Sequence, residues 1–247
     1  MWNVDISKSE KLWSSLIKRF NRQQLSRVKG MLSNLASSHP INASPDQRQK
    51  VENIWFPHLP SQPWCEPGAL LWSSILEKNF KVFQSSLEMV LSDESLLHSY
   101  ETRNNLGQGW KAFSFMRDGV WQLEACLKHP SIVRVLDTLP LYPGDIMFSL
   151  LEGDTFIPPH FGLSNLKLTM HLGMKVPTGC SICVDKETGY WEQGLTLVFD
   201  DSFIHSVDNP TNQRRIIFLV DVWHPNLSNA EVAALRYLLP KLRRSLY

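Results

Sequence analysis

The stretch that decides the fold runs from Gly144 to Trp223. Within it IMFSLLEG (146–153), NLKLTMHLGMKV (165–176), SICVD (181–185), LTLVFD (195–200), IHSV (204–207) and RRIIFLVDVW (214–223) succeed one another, with glycine, proline, aspartate or asparagine in nearly every gap. Short segments rich in β-formers, punctuated this often, predict an antiparallel sandwich or barrel. Just ahead, WKAFSFM (110–116) alternates as a strand does, and 131–137 reads as a short helix between turn residues.

Outward from this core the texture is helical. Ser7 and Glu10 have capping-box spacing, after which Leu12, Trp13, Leu16, Ile17 and Phe20 recur on one face and Leu25, Val28, Leu32 and Leu35 carry the pattern toward Pro40. Pro57, Pro60, Pro63 and Pro67 punctuate WFPHLPSQPWCEPG (55–68), where Trp55, Phe56 and Trp64 predict an ordered strap instead of a free linker. Leu71, Trp72, Ile75, Leu76, Phe80 and Phe83 predict a second long helix from 70 to about 91. NLSNAEVAALRYLLPKL (226–242) predicts a C-terminal helix opened by Ser228 or Asn229 and disturbed by Pro240. The organisation is therefore a helical arm (1–56) followed by a domain (57–247) with a β core at about 110–225 and a closing helix at 228–247: mainly β with α-helical flanks.

The 247 residues carry 25 Lys+Arg against 24 Asp+Glu, a near balance that points away from nucleic acid and from anionic membrane surfaces. With 43% hydrophobic residues the chain can bury a sizeable core, which excludes the disordered and collagen-like classes. No apolar run approaches the roughly 20 residues of a membrane span, and charges interrupt the N-terminal stretch where a signal peptide needs continuous apolar sequence. A cytoplasmic protein is expected, with its four cysteines reduced. Cys180 and Cys183 have C-x-x-C spacing but no second ligand pair nearby, so neither zinc nor redox chemistry is assigned to them. Lys241, Arg243 and Arg244 read as a solvated helix end favoured by the helix dipole.

Chemistry is suggested by where histidines fall. Three of the eight, His160, His171 and His205, lie in the strand-rich half. A lone sheet histidine is ordinarily structural, its imidazole satisfied by backbone groups. Position distinguishes two of these: His160 follows Pro158 and Pro159 in a turn that opens a strand, and His205 follows the turn Asp200-Asp201-Ser202, so both stand at a barrel rim where a metal can be reached. Neutral imidazoles on adjoining strands suit Fe(II). Arg215, ten residues beyond His205, is suited to a co-substrate carboxylate, which a guanidinium grips with two parallel hydrogen bonds. Asp200 and Asp201 read as turn formers, and Trp191 and Trp223 as packing residues.

The segments PPHFGLSNLKLTMHLGM (158–174), GYWEQGLTLVFDDSFIHSV (189–207) and RRIIFLVDVWHP (214–225) together resemble, in order and spacing, the catalytic domain of the aspartyl/asparaginyl β-hydroxylase family. The close match covers Ser149 to Pro225 and a looser one reaches back to about Trp64. The resemblance implies a double-stranded β-helix, a jelly-roll-like barrel, and an Fe(II)/2-oxoglutarate-dependent dioxygenase that consumes O₂ and releases succinate and CO₂. It makes His160 and His205 the iron ligands, with Gly162 where other enzymes of this chemistry carry a third, carboxylate ligand. It puts 2-oxoglutarate at Ser149, His171 and Arg215, with Trp110 packing nearby. Where the family has arginine two residues before the inner histidine, this chain has Thr169. Lys167, two residues earlier and on the same strand face, would supply part of that charge. No substrate role is carried onto YETRNNLGQGW (100–110). The implied reaction is hydroxylation of the β-carbon of an aspartyl, asparaginyl or related amino-acid unit, free, carrier-bound or peptidyl. The same iron chemistry diverted to ring closure or desaturation, and a barrel that binds without turnover, are the alternatives.

Overall fold

A computed structural model describes residues 4–45, 47–66, 68, 70–100 and 109–243. Pro67, Arg244 and residues 101–108 of the YETRNNLGQGW stretch lie outside them. In chain order the strands are β1 (Trp64–Cys65), β2 (His98–Ser99), β3 (Trp110–Arg117), β4 (Val120–Trp121), β5 (Leu141–Leu151), β6 (Thr155–His160), β7 (Lys167–Lys175), β8 (Ser181–Val184), β9 (Glu187–Tyr190), β10 (Thr196–Phe199), β11 (His205–Asn209) and β12 (Arg215–Trp223). They form two sheets, a larger one in the order β1-β10-β7-β12-β5-β3-β2, with β4 beside β3, and a smaller one in the order β6-β11-β8-β9.

Pairing from β5 onward is nested and antiparallel. The first strand pairs with the last (β5 with β12), the second with the second last (β6 with β11), then β7 with β10 and β8 with β9. A long hairpin wound on itself in this way is a double-stranded β-helix, and the expected barrel is present. Strands β7 and β12 at the centre of the larger sheet are buried on both faces, which is why β12 reads as a nearly continuous apolar run. Ile216, Phe218, Val220 and Val222 face outward, toward Leu76, Phe83, Leu87 and Ile132 of covering helices. Arg215, Ile217, Leu219 and Asp221 alternate with them and face the barrel interior, where Ile217 and Leu219 meet Ile157, Ile182, Val184 and Val207 of the smaller sheet.

The helices are α1 (Ile6–Ile17), α2 (Ser26–Leu35), α3 (Leu71–Lys78), α4 (Phe80–Leu91), α5 (Leu123–Lys128), α6 (Pro130–Leu136) and α7 (Asn229–Arg243). Several differ from their sequence reading for local reasons. The arm begins at Asp5, whose carboxylate accepts from the Lys8 N–H at 2.7 Å, so Ser7 is not the cap. It then breaks where Asn21 accepts from the Gln23 N–H and starts a 3-10 turn. The long helix expected over 70–91 is two, because the Asn79 side-chain amide donates to the Ile75 carbonyl and competes with the backbone ladder. Ser228 and Glu231 do cap α7 reciprocally, and Pro240 does not end it. Arg243 is no solvated end: its guanidinium donates to the backbone carbonyls of Asp118 and Pro143.

The proline-rich strap is ordered: Phe56 is fully buried, and Trp64 and Cys65 add a short strand to the larger sheet. The arm packs with α7. Leu16, Val28, Met31 and Leu32 share one core with Trp223, Leu235, Leu238 and Leu239. Arg27 of α2 meets Glu231 of α7 through two hydrogen bonds of 2.8 and 2.6 Å. Among the described residues no helix is long and apolar enough to cross a membrane.

Candidate active site

The barrel interior gathers the titratable side chains. His160 ends β6, the edge strand of the smaller sheet, and His205 begins β11; they are register partners. The Pro158–Pro159 pair therefore lies within a strand and does not open one. The imidazole centroids are 4.1 Å apart. In each ring Nδ1 lies 2.9 Å from a backbone carbonyl two residues earlier, Pro158 for His160 and Phe203 for His205. A carbonyl only accepts, so Nδ1 carries a hydrogen, and the lone pair of the neutral ring is then on Nε2. Burial, with His160 adjacent, pulls the pKa of His205 down to about 3, which keeps that ring neutral and able to ligate. Two imidazoles side by side, each with Nδ1 committed to a carbonyl and Nε2 left over, are a donor set for a divalent transition metal.

No described group of three or more His, Cys, Asp or Glu side chains converges as a metal site. The position two residues after His160 is Gly162, and it has no room for a carboxylate of its own. A Cβ there would collide with the carboxylate of Asp201. Asp201, read from the sequence as a turn former, instead directs one oxygen to Lys167 and leaves Oδ1 buried without a partner. Asp200 is the turn former: it accepts from the Ser202 N–H at 2.9 Å and from the Gln49 amide. Burial raises its carboxyl pKa to about 7.

On the facing wall stand three donors with no protein acceptor. Arg215 opens β12 with its guanidinium buried, and its Nε and Nη1 have no partner. Desolvation alone draws its pKa down to about 10, the mark of a cation without a counter-ion. Its guanidinium carbon lies 4.9 Å above the Trp191 ring. The Trp191 indole N–H donates to Nδ1 of His171 at 3.4 Å, so the hydrogen of His171 sits on Nε2, which is buried and unpartnered. Ser149, opposite Ile217 in the sheet, accepts from the Trp110 indole at 2.9 Å and keeps its own hydrogen free. A buried unpaired guanidinium with an imidazole N–H and a hydroxyl beside it fits an anionic ligand bearing more than one carboxylate.

Of the residues named from sequence, His160 and His205 adjoin each other, and Arg215, His171, Ser149 and Trp110 line one connected wall. Lys167 and Thr169 share the strand face of His171 but are engaged by carboxylates. The Lys167 ammonium is held by Asp201 (2.7 Å), Asp221 (2.8 Å) and the Thr169 hydroxyl (2.9 Å), and that hydroxyl donates to Asp221 at 3.0 Å. Trp191, assigned only packing, and Asp221, not singled out, both belong to the interior. An aspartate at an inward position of the apolar run IIFLVDVW was the signal for the second. Cys180 and Cys183 are free thiols, and Cys180 Sγ contacts Asn209 Oδ1 at 2.8 Å.

The sequence profile of the family described as aspartyl/asparaginyl beta-hydroxylase matches residues 77–225. Aspartate beta-hydroxylase domain-containing protein 2 of Mus musculus is 33% identical over 202 residues, which are 77% of this chain and 59% of that protein. Aspartyl/asparaginyl beta-hydroxylase of Homo sapiens is 34% identical over 197 residues, 76% of this chain and 24% of that protein. The chain thus spans about three fifths of the first relative and a quarter of the second. Among solved structures, a Pseudomonas putida prolyl-4-hydroxylase aligns over 63% of this chain and 100% of its own at 12% identity with a TM-score of 0.42, and the fold assignment rests instead on the strand register.

Proposed function

The chain belongs to the aspartyl/asparaginyl β-hydroxylase family, and on that premise we propose that it is an Fe(II)- and 2-oxoglutarate-dependent dioxygenase. Its reaction is hydroxylation of the β-carbon of an aspartyl, asparaginyl or related amino-acid unit, free, carrier-bound or peptidyl, with succinate and CO₂ as co-products. The observation that carries the reading is the pair of imidazoles 4.1 Å apart, both with Nδ1 committed to backbone carbonyls.

His160 and His205 would hold the iron, which when bound supplies the redox chemistry that couples decarboxylation of 2-oxoglutarate to insertion of an oxygen atom from O₂ into a C–H bond. The remaining work belongs to the chain. The two Nδ1–H bonds lock ring orientation and tautomer, so the ligands are set before any metal arrives. Arg215 would pair with the distal carboxylate of 2-oxoglutarate while the Ser149 hydroxyl adds a second donor and His171 Nε2–H faces its other end. Trp110 fixes Ser149, and Trp191 fixes both Arg215 and His171. The apolar side chains of the barrel interior keep water from the reacting centre. With no carboxylate at Gly162, the unpartnered oxygen of Asp201 is the acceptor available to a water at that face.

The test is anaerobic addition of Fe(II) and then 2-oxoglutarate to the metal-free protein. A weak visible charge-transfer band from the keto-acid chelate is expected, and its absence would end the proposal. A mass screen of candidate acceptors then looks for a gain of one oxygen, against the loss of two hydrogens that ring closure or desaturation gives.

A further inference from the structure

Lys167, Thr169 and His171 lie at alternate positions of β7 and face the barrel interior together. All three ammonium hydrogens of Lys167 are used, on Asp201 Oδ2, Asp221 Oδ1 and Thr169 Oγ1. Burial alone would lower the pKa of this ammonium, but the two carboxylates outweigh it and raise it, so the charge persists. Asp221 is gripped from its other side as well: its Oδ2 accepts from the Asp145 N–H at 3.1 Å. The neighbouring Gly144 leaves it that space, since a Cβ there would collide with the same oxygen. Asp221 is thus immobile, Lys167 is anchored to it, and Asp201 is the outer member of the chain. The outer carboxylate ends in an oxygen with no partner and is set against Gly162, two residues beyond His160, while Asp201 itself lies four residues before His205. Two carboxylates share one ammonium, and the unsatisfied oxygen of the cluster is at Asp201.

An unsatisfied buried carboxylate oxygen is costly unless something completes it. We propose that Lys167, clamped by Asp221 and Thr169, is a positioning residue that aims the free oxygen of Asp201 at the third face of the imidazole pair. Lys167 acts through Asp201 and takes no part in holding the co-substrate. The inference rests on the reading that His160 and His205 bind a divalent cation, and the experiment below separates the two.

Co(II) binding to the full chain, without 2-oxoglutarate, is followed by its visible absorption in wild type, Asp201→Asn, Lys167→Met, the double variant and Lys167→Arg, with thermal melts alongside. The loss of a group that orients a metal site weakens affinity on the order of tenfold to a hundredfold. Lys167→Met and Asp201→Asn should each lower Co(II) affinity by about tenfold or more and change the band alike. The double variant should be no weaker than Asp201→Asn alone, and Lys167→Arg should stay within about threefold of wild type. Wild-type Co(II) affinity in Lys167→Met, or a loss that adds to that of Asp201→Asn, would overturn the proposal. Should Lys167→Met melt without a cooperative transition, Lys167→Met combined with Asp221→Asn, which leaves no orphan charge at Asp221, is held to the same criteria. Failure of wild type to bind Co(II), or binding undiminished by His160→Ala and His205→Ala, refutes the underlying ligand assignment, and the clamp with it.

Discussion

Individual side chains carry the chemistry, and each makes a distinct demand. Replacing either His160 or His205 with alanine removes one of the two proposed metal donors, and at His205 also a ring contact with Phe199 of the larger sheet. Both variants should melt cooperatively, give no charge-transfer band and form no succinate. Arg215 makes the opposite demand, because its charge is buried without a counter-ion and costs stability until a carboxylate arrives. Arg215→Met should raise the KM for 2-oxoglutarate by about a hundredfold, from the roughly 2–5 kcal/mol lost when one side of a buried charged pair is removed. The same variant without co-substrate should unfold at higher urea than wild type, by about 1–3 kcal/mol; a lower midpoint would mean the guanidinium is satisfied within the protein. At this scale much was legible. An arginine leading an apolar strand and histidines at strand ends stand out from their neighbours. The partners of Lys167 did not, because Asp201 and Asp221 lie 34 and 54 residues away and only the barrel's winding brings them together.

Secondary-structure elements join this site to the rest of the chain. Glu231, at the start of α7, accepts from Arg27, from the Ser228 N–H and from the Ser228 hydroxyl, and is itself buried. Ser228→Ala should cost about 1 kcal/mol, the ordinary value of a helix cap. Glu231→Ala should cost more, about 3 kcal/mol, since it also strands the Arg27 guanidinium; urea unfolding of the two variants sets the order. At the junction of β12 and α7, burial lowers the pKa of His224 from 6.5 to about 4. Between those values the unfolded chain binds a proton that the folded chain does not. The stability His224 contributes is therefore full above pH 6.5 and drains away toward pH 4. His224→Asn should gain on wild type as pH falls from 7 to 5, read from paired urea midpoints. Strand β6 escaped the sequence reading for a physical reason. Two successive prolines argue against a strand, yet β6 is the edge of its sheet, where a missing N–H is tolerated. Asn79 escaped because apolar periodicity continues across the break that its side chain makes.

For the whole molecule, the N-terminal arm, α7, Tyr142 of β5 and Trp223 of β12 share one core. We propose that they unfold as a unit: tryptophan fluorescence and far-ultraviolet circular dichroism should give coincident transitions, and removal of residues 1–36 should expose Leu235, Leu238 and Leu239 and leave a chain that aggregates. Two separated transitions would make the arm an independent domain. Composition and periodicity announced a β barrel flanked by helices. The nesting of β5 with β12 around β8 with β9 was not legible from them, because strand order depends on contacts between residues far apart in sequence.

That nesting governs when the two imidazoles first come together. His160 and His205 enter the chain 45 positions apart, and their rings meet only once β11 has docked beside β6. During synthesis the first imidazole waits alone until nearly the entire barrel has emerged and closed. On the proposed ligand assignment, loading would follow maturation, and an unfinished polypeptide would be spared from carrying an oxygen-reactive ion against its own exposed backbone.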